Sequence, residues 1–191
     1  MKIGLFFGSF NPVHIGHLVI ADALVEYSEL DKVWFIVTPQ NPHKKRSNLI
    51  HEFDRLDMVR AAIEDNENLE VSDIEFGMPR PSYTIDTLVH LDEKYKEYEF
   101  YPIMGGDNLN SLPKWKNSHI LLDRYEIMVY PRPGSPASIL DEHPSVNIIK
   151  EMPFMDISAS MIRKALKEGK SVRYLMPEKV RHIIESRKLY Q

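Results

Sequence analysis

The stretch Gly8-Ser9-Phe10-Asn11-Pro12-Val13-His14-Ile15-Gly16-His17 constrains this chain more than any other. Before it runs Lys2-Ile3-Gly4-Leu5-Phe6-Phe7, short, apolar and closed by a glycine, which predicts a buried strand. After it, Ile15, Leu18, Val19, Ala23 and Val25 recur at helical spacing. The stretch therefore reads as a strand, a tight turn and the first turn of a helix. Gly8 lets the backbone bend or approach a ligand without a Cβ, and Pro12 favours a turn before a helix. His14 and His17 lie three apart, so on a helix they share a face. Gly16 between them leaves room for a ligand. A helix start adds unpaired N–H groups and partial positive charge, and two imidazoles beside it suit a phosphate. From the residues alone, a capping pair or a metal pair stays open, although zinc normally asks for three or four ligands and no cysteine is present.

The pattern continues along the chain. Lys32–Thr38 predicts a second buried strand, which completes a βαβ unit and a parallel sheet. The segment Pro39 to Asn48 carries two prolines and the basic His43, Lys44, Lys45 and Arg46. It predicts a loop at the strand edge where open α/β sheets bind ligands; a solvated basic loop fits its composition equally well. Glu52–Asp65 places Phe53, Leu56, Val59 and Ile63 on one helical face, and Leu69–Ile74 alternates like a strand near a sheet edge. Ser82 reads as the N-cap of a helix with the stripe Ile85, Leu88 and Leu91. Glu99–Met104 predicts a strand that ends in the turn Gly105-Gly106-Asp107, where an acid can accept from ribose hydroxyls. A short helix over Ser118–Arg124, a strand over Glu126–Tyr130 and a last strand at Val146–Ile149 follow. A helix begins at Asp156, with Ser158 and Ser160 near its start and Arg163 one turn on; this is either a second anion site or an ordinary serine cap. Pro177 opens a terminal helix. Strands alternating with helices make the expected fold a doubly wound, mainly parallel α/β sheet.

Composition narrows the function classes. A chain of 191 residues with 43% hydrophobic side chains suits one domain, with the helical part from about residue 156 packed on it. A net charge of −4 argues against non-specific nucleic-acid binding. Zero cysteines exclude disulfide and thiolate chemistry. No signal peptide and no apolar run long enough to cross a bilayer are visible, so a soluble cytoplasmic enzyme is expected.

Gly-Ser-Phe-Asn-Pro-x-His-x-Gly-His resembles the signature of the HxGH nucleotidyltransferases, with Asn11 where Asp is commoner. Ile157-Ser158-Ala159-Ser160-Met161-Ile162-Arg163 resembles the Ile-Ser-Ser-Thr-x-Ile-Arg signature of the same superfamily, with Ala159 and Ser160 as departures. Pro42-His43-Lys44, Ser82-Tyr83-Thr84-x-Asp86-Thr87-Leu88 and Gly106-Asp107 with Trp115 together look like the bacterial nicotinate-nucleotide adenylyltransferases. That resemblance covers nearly the whole chain. It implies transfer of adenylate from ATP, with Mg²⁺, to nicotinate mononucleotide. It implies catalytic roles for His14, His17, Lys44 and Arg163, and ATP contacts from Gly8, Ser9, Phe10, His14, His17, Gly105, Asp107, Ile157, Ser158 and Arg163. Asn11, His43, Lys44, Thr84, Ile85 and Trp115 would meet the acceptor. No metal-ligating side-chain cage is expected, since phosphates and water suffice for Mg²⁺. Other acceptors (nicotinamide mononucleotide, phosphopantetheine, a cytidylyl acceptor), a class I aminoacyl-tRNA synthetase and a non-catalytic ATP sensor are the competing readings.

Overall fold

Long apolar runs with no polar alternation form strands buried on both faces, and the central strands of this sheet are built from them. The computed structural model describes residues 1–40, 49–132 and 134–191. The strands are β1 (Lys2–Gly8), β2 (Lys32–Val37), β3 (Leu69–Ser72), β4 (Glu99–Gly105), β5 (Ile127–Tyr130) and β6 (Val146–Ile148). They lie in the order β3-β2-β1-β4-β5-β6, and every neighbouring pair is parallel. The order reverses at β1, which pairs with β2 on one side and β4 on the other. Open sheets of this order place ligands outside the carboxyl ends of the strands, at that switch point.

The helices are α1 (Ile15–Tyr27), α2 (Glu52–Ile63), α3 (Thr84–Lys94), α4 (Gly106–Leu109), α5 (Ser118–Arg124), α6 (Ala159–Lys167) and α7 (Glu178–Ser186). Alternate strand residues feed two cores. Phe6, Val33, Phe35 and Val37 pack with residues of α1, α2, α6 and α7 on one face. Ile3, Leu5, Trp34 and Ile36 pack with Ile85, Leu88, Leu91 and Leu121 of α3 and α5 on the other. Among the described residues, no helix is long and apolar enough to cross a membrane.

Several boundaries differ from the sequence expectation. The third strand stops at Ser72, and a 3₁₀ turn takes up Ile74–Gly77. The third helix starts at Thr84 with Tyr83 at the N-cap, because Ser82 is buried instead of capping. The sixth helix starts at Ala159, not Asp156, because the Ser158 hydroxyl accepts the Met161 N–H at 3.2 Å and fixes the cap there. On α2 the buried face is Arg55, Leu56, Met58, Val59, Ala62 and Ile63, while Phe53 is 56% exposed. The helix is therefore rotated from the expected stripe, and an arginine points inward.

Candidate active site

The turn after β1 is held from behind. Phe10 takes the left-handed conformation at φ 43°, at a cost on the order of 1–3 kcal/mol for a non-glycine residue. Burial offsets it, since Phe10 is 2% exposed and packs edge-on against Phe6 and His17. A Cβ on Gly8 would lie 2.7 Å from that ring, so glycine is required for the close packing rather than for ligand approach. The turn's carbonyls are engaged by the Thr38 N–H on Gly8, by Arg55 Nη1 on Ser9 at 2.6 Å and by Arg163 Nη1 on Asn11 at 2.8 Å. Tyr190, at the far end of the chain, donates its hydroxyl to Asn11 Oδ1 at 2.8 Å.

Two cavities meet at this turn. The first, about 420 Å³, is lined by Gly8, Ser9, Phe10, Asn11, His14 and His17, by Tyr130 and Arg132 beyond β5, and by Ile157, Ser158 and Arg163 around the start of α6. The two sequence motifs, distant along the chain, thus form one cleft. The second, about 350 Å³, has Thr38 and Glu75 at its base, Tyr83, Thr84 and Ile85 at the start of α3, and Trp115 between Lys114 and Lys116. Phe7, Gly8, Ser9 and Asn108 line both. The two spaces therefore share the carboxyl end of β1.

His14 is not on the helix but at its N-cap, in extended conformation. Its backbone N–H donates to His17 Nδ1 at 3.2 Å, which leaves the proton of the neutral His17 ring on Nε2. The rings stack with centroids 3.7 Å apart. A Cβ on Gly16 would stand 3.1 Å from His14 Nδ1, so the room that glycine leaves is filled by the His14 ring and not by a ligand. Burial, with Arg132 adding to it, pushes His14 down to about 4. His14 is neutral at neutral pH and donates or accepts as an imidazole.

That shift sets a stability slope. A histidine whose pKa is lower in the folded state takes up protons preferentially when unfolded, so stability falls as pH drops from its ordinary value towards about 4. We expect the protein to lose about 2 kcal/mol between pH 7 and pH 5 through this group alone. Urea unfolding of wild type and His14→Asn at both pH values checks it. Equal slopes in the two proteins would contradict the burial of a neutral His14.

The remaining expected residues distribute as follows. Asn11 lines the first cavity, and its side-chain oxygen accepts from the Tyr190 hydroxyl. Gly105 ends β4 and Gly106 begins α4 directly, without a loop. Gly105 and Asp107 stand beside the first cavity, and the Asp107 carboxylate accepts from Arg132 at 3.0 Å. Thr84, Ile85 and Trp115 share the second cavity; the Trp115 indole donates to Ser111 Oγ at 3.1 Å. His43 and Lys44 lie outside the described residues.

Four features escaped the sequence reading. Arg132 follows β5 between two prolines, at the same carboxyl edge of the sheet where ligands bind in open α/β folds. Lys114 and Lys116 flank Trp115, and the Lys116 ammonium sits 4.8 Å from the centre of the Tyr83 ring while pairing with Asp86 at 2.7 Å. Glu75 is 1% exposed and accepts from Thr87 Oγ1 at 2.8 Å, with the hydroxyls of Thr38 and Ser82 facing it; burial raises its pKa. Arg55 is wholly buried. Nothing local marks the last two.

The chain matches the cytidylyltransferase-like family model over residues 5–165. It is 51% identical over 190 residues to a probable nicotinate-nucleotide adenylyltransferase of Cytophaga hutchinsonii, covering 100% of this chain and 98% of the relative. It is 47% identical over 193 residues to that of Flavobacterium johnsoniae, covering both chains fully. The fold superposes with TM-score 0.81 on Plasmodium falciparum nicotinic acid mononucleotide adenylyltransferase complexed with NaAD, at 19% identity, over 99% of this chain and 97% of that one. With both sequence motifs assembled into one cleft and full-length identity at this level, the chain belongs to the nicotinate-nucleotide adenylyltransferase family of nucleotidyltransferases.

Proposed function

We propose that this protein transfers the adenylyl group of ATP to nicotinate mononucleotide, giving deamido-NAD and pyrophosphate, a step of NAD synthesis. The observation that carries the reading is the pair of cavities meeting at Phe7, Gly8, Ser9 and Asn108. Two bound nucleotides placed there would have their reacting phosphates side by side. A phosphate monoester is already a nucleophile at neutral pH, so alignment and charge neutralisation are what the protein must supply. An oxygen of the acceptor's 5′-phosphate attacks the α-phosphorus, the bond from that phosphorus to the bridging oxygen breaks, and pyrophosphate leaves with the electron pair.

In this reading ATP occupies the cleft of the two histidines. His17 donates through Nε2–H, and Arg163 and Arg132 supply positive charge. Asp107 turns to the adenylate ribose, which frees Arg132 for phosphate. Gly8, Ser9, Phe10, Ile157 and Ser158 shape the cleft. Trp115 stacks on the pyridine ring. The acceptor's carboxylate sits at the start of α3, where the first-turn N–H groups favour negative charge and Tyr83 provides no side-chain cap. Lys44 and His43 are assigned to the acceptor phosphate from the family resemblance. Mg²⁺ enters with ATP as part of the substrate. An ion that arrives with ATP is held by phosphate oxygens and water.

The test is product analysis with Mg-ATP and nicotinate mononucleotide. Deamido-NAD and pyrophosphate in equal amounts are expected. ATP binding without acceptor-dependent pyrophosphate would overturn the reading in favour of a sensor.

A further inference from the structure

Arg55 reaches inward from α2 with no exposed surface. Its Nη1 donates to two carbonyls, Ser9 at 2.6 Å and Thr38 at 2.8 Å. Nη2 donates to Pro39 and Nε to Ile50, each at 3.3 Å. Among the described residues no carboxylate lies within ion-pair distance of it. The acid that influences it most, Glu52, is engaged by Arg80 at 2.7 Å. A buried cation solvated only by carbonyl dipoles is costly, and its neighbours on the same helix face, Leu56, Met58 and Val59, show what a purely structural residue there looks like. The guanidinium is retained for what it joins.

The four carbonyls belong to three segments. Ser9 lies in the turn common to both cavities; Thr38 lines the second cavity. Pro39 and Ile50 stand on either side of the stretch that carries His43 and Lys44. One nitrogen, Nη1, thus bridges the carboxyl ends of β1 and β2. A planar fork of five donors can do this; an ammonium with three donors on a single atom cannot span the same set.

We propose that Arg55 is a positioning residue that sets the distance between the two substrate cavities, so that it governs turnover and not the binding of either nucleotide alone. The proposal rests on the two-nucleotide reading of the site. In-line transfer requires the attacking oxygen and the α-phosphorus to meet at a fixed separation, and a displacement of about 1 Å can cost 10²-fold in rate. Arg55 itself lines neither cavity, so the side chains that would meet each nucleotide stay in place when it changes.

The experiment measures calorimetric affinity and stoichiometry for a non-hydrolysable ATP analogue and for nicotinate mononucleotide separately, then kcat per binding-competent site. Arg55→Lys should keep both affinities within about threefold while kcat per competent site falls by about 10²-fold. Arg55→Ala should regain part of its turnover in millimolar guanidinium at unchanged stoichiometry. Normalising to competent sites removes any loss that comes only from partial unfolding. Wild-type kcat per site in Arg55→Lys would overturn the proposal, as would affinities that weaken as much as kcat. Failure of both variants to form competent sites, with or without guanidinium, would overturn it too and make Arg55 a fold determinant. If the wild-type protein makes no deamido-NAD, the functional reading itself fails; the other outcomes reject the positioning role and leave that reading standing.

Discussion

Replacing His17 with alanine is expected to lower kcat by about 10²–10³-fold while the fold stays intact, the loss typical of one preorganised donor to a transition state, or roughly 3–4 kcal/mol. His17 is the third residue of α1, and its ring is fixed twice, by the His14 N–H on Nδ1 and by stacking on His14. That leaves Nε2–H oriented before substrate arrives, so no reorganisation is needed as charge develops on the phosphates. The packing lost includes the edge contacts with Phe6 and Phe10, at 6.0 and 5.1 Å between centroids, and the stacking on His14 at 3.7 Å, each worth about 0.5–1.5 kcal/mol by the usual value for such pairs. Circular dichroism and steady-state kinetics on the variant decide it. An unfolded variant, or one with wild-type turnover, would contradict the role.

The second large effect concerns the acceptor. Nicotinate and nicotinamide mononucleotides differ by a carboxylate against a carboxamide. The carboxylate offers only acceptors, whereas the amide brings an NH₂ donor. At the start of α3 the Asp86 N–H turns back to the Tyr83 carbonyl at 3.0 Å, and the helix supplies no acceptor for the Thr84 and Ile85 amides ahead of it. An amide acceptor would set its NH₂ against a donor or leave that donor unpaired in a desolvated pocket. We expect the acid to be preferred by at least about 10²-fold in kcat/KM. Trp115 stacks on either ring without distinguishing them, so Trp115→Ala should weaken both acceptors and keep most of the ratio. Comparable kcat/KM for acid and amide in the wild-type protein would refute the assignment of this helix start to the carboxylate.

The sheet was legible because its signals are local. Phe6, Phe35 and Ile103 sit in runs whose length and bounding glycines or turns specify strands, and the alternating Leu69 to Ser72 run is indeed the edge strand. The histidine motif was legible because strand, turn and helix start follow one another directly. What escaped depends on partners remote in sequence. Arg55 looks solvent-facing in an amphipathic count; only the folded sheet gathers the carbonyls of Ser9, Thr38 and Pro39 around it. The Asn11 side chain accepts from Tyr190, 179 positions away, a contact that no local pattern announces. Ser82 has the residue type that favours an N-cap, but Tyr83 takes that position and Ser82 is buried beside the second cavity.

The central claim, that the acceptor's phosphate in one cavity attacks the α-phosphorus of ATP in the other directly, is tested most sharply by stereochemistry. ATP made chiral at the α-phosphorus with sulfur should yield a dinucleotide inverted at that centre, with one pyrophosphate per product, because a single in-line displacement inverts once. Retention would require a second displacement through an enzyme-bound adenylate, and would contradict direct transfer between the two cavities.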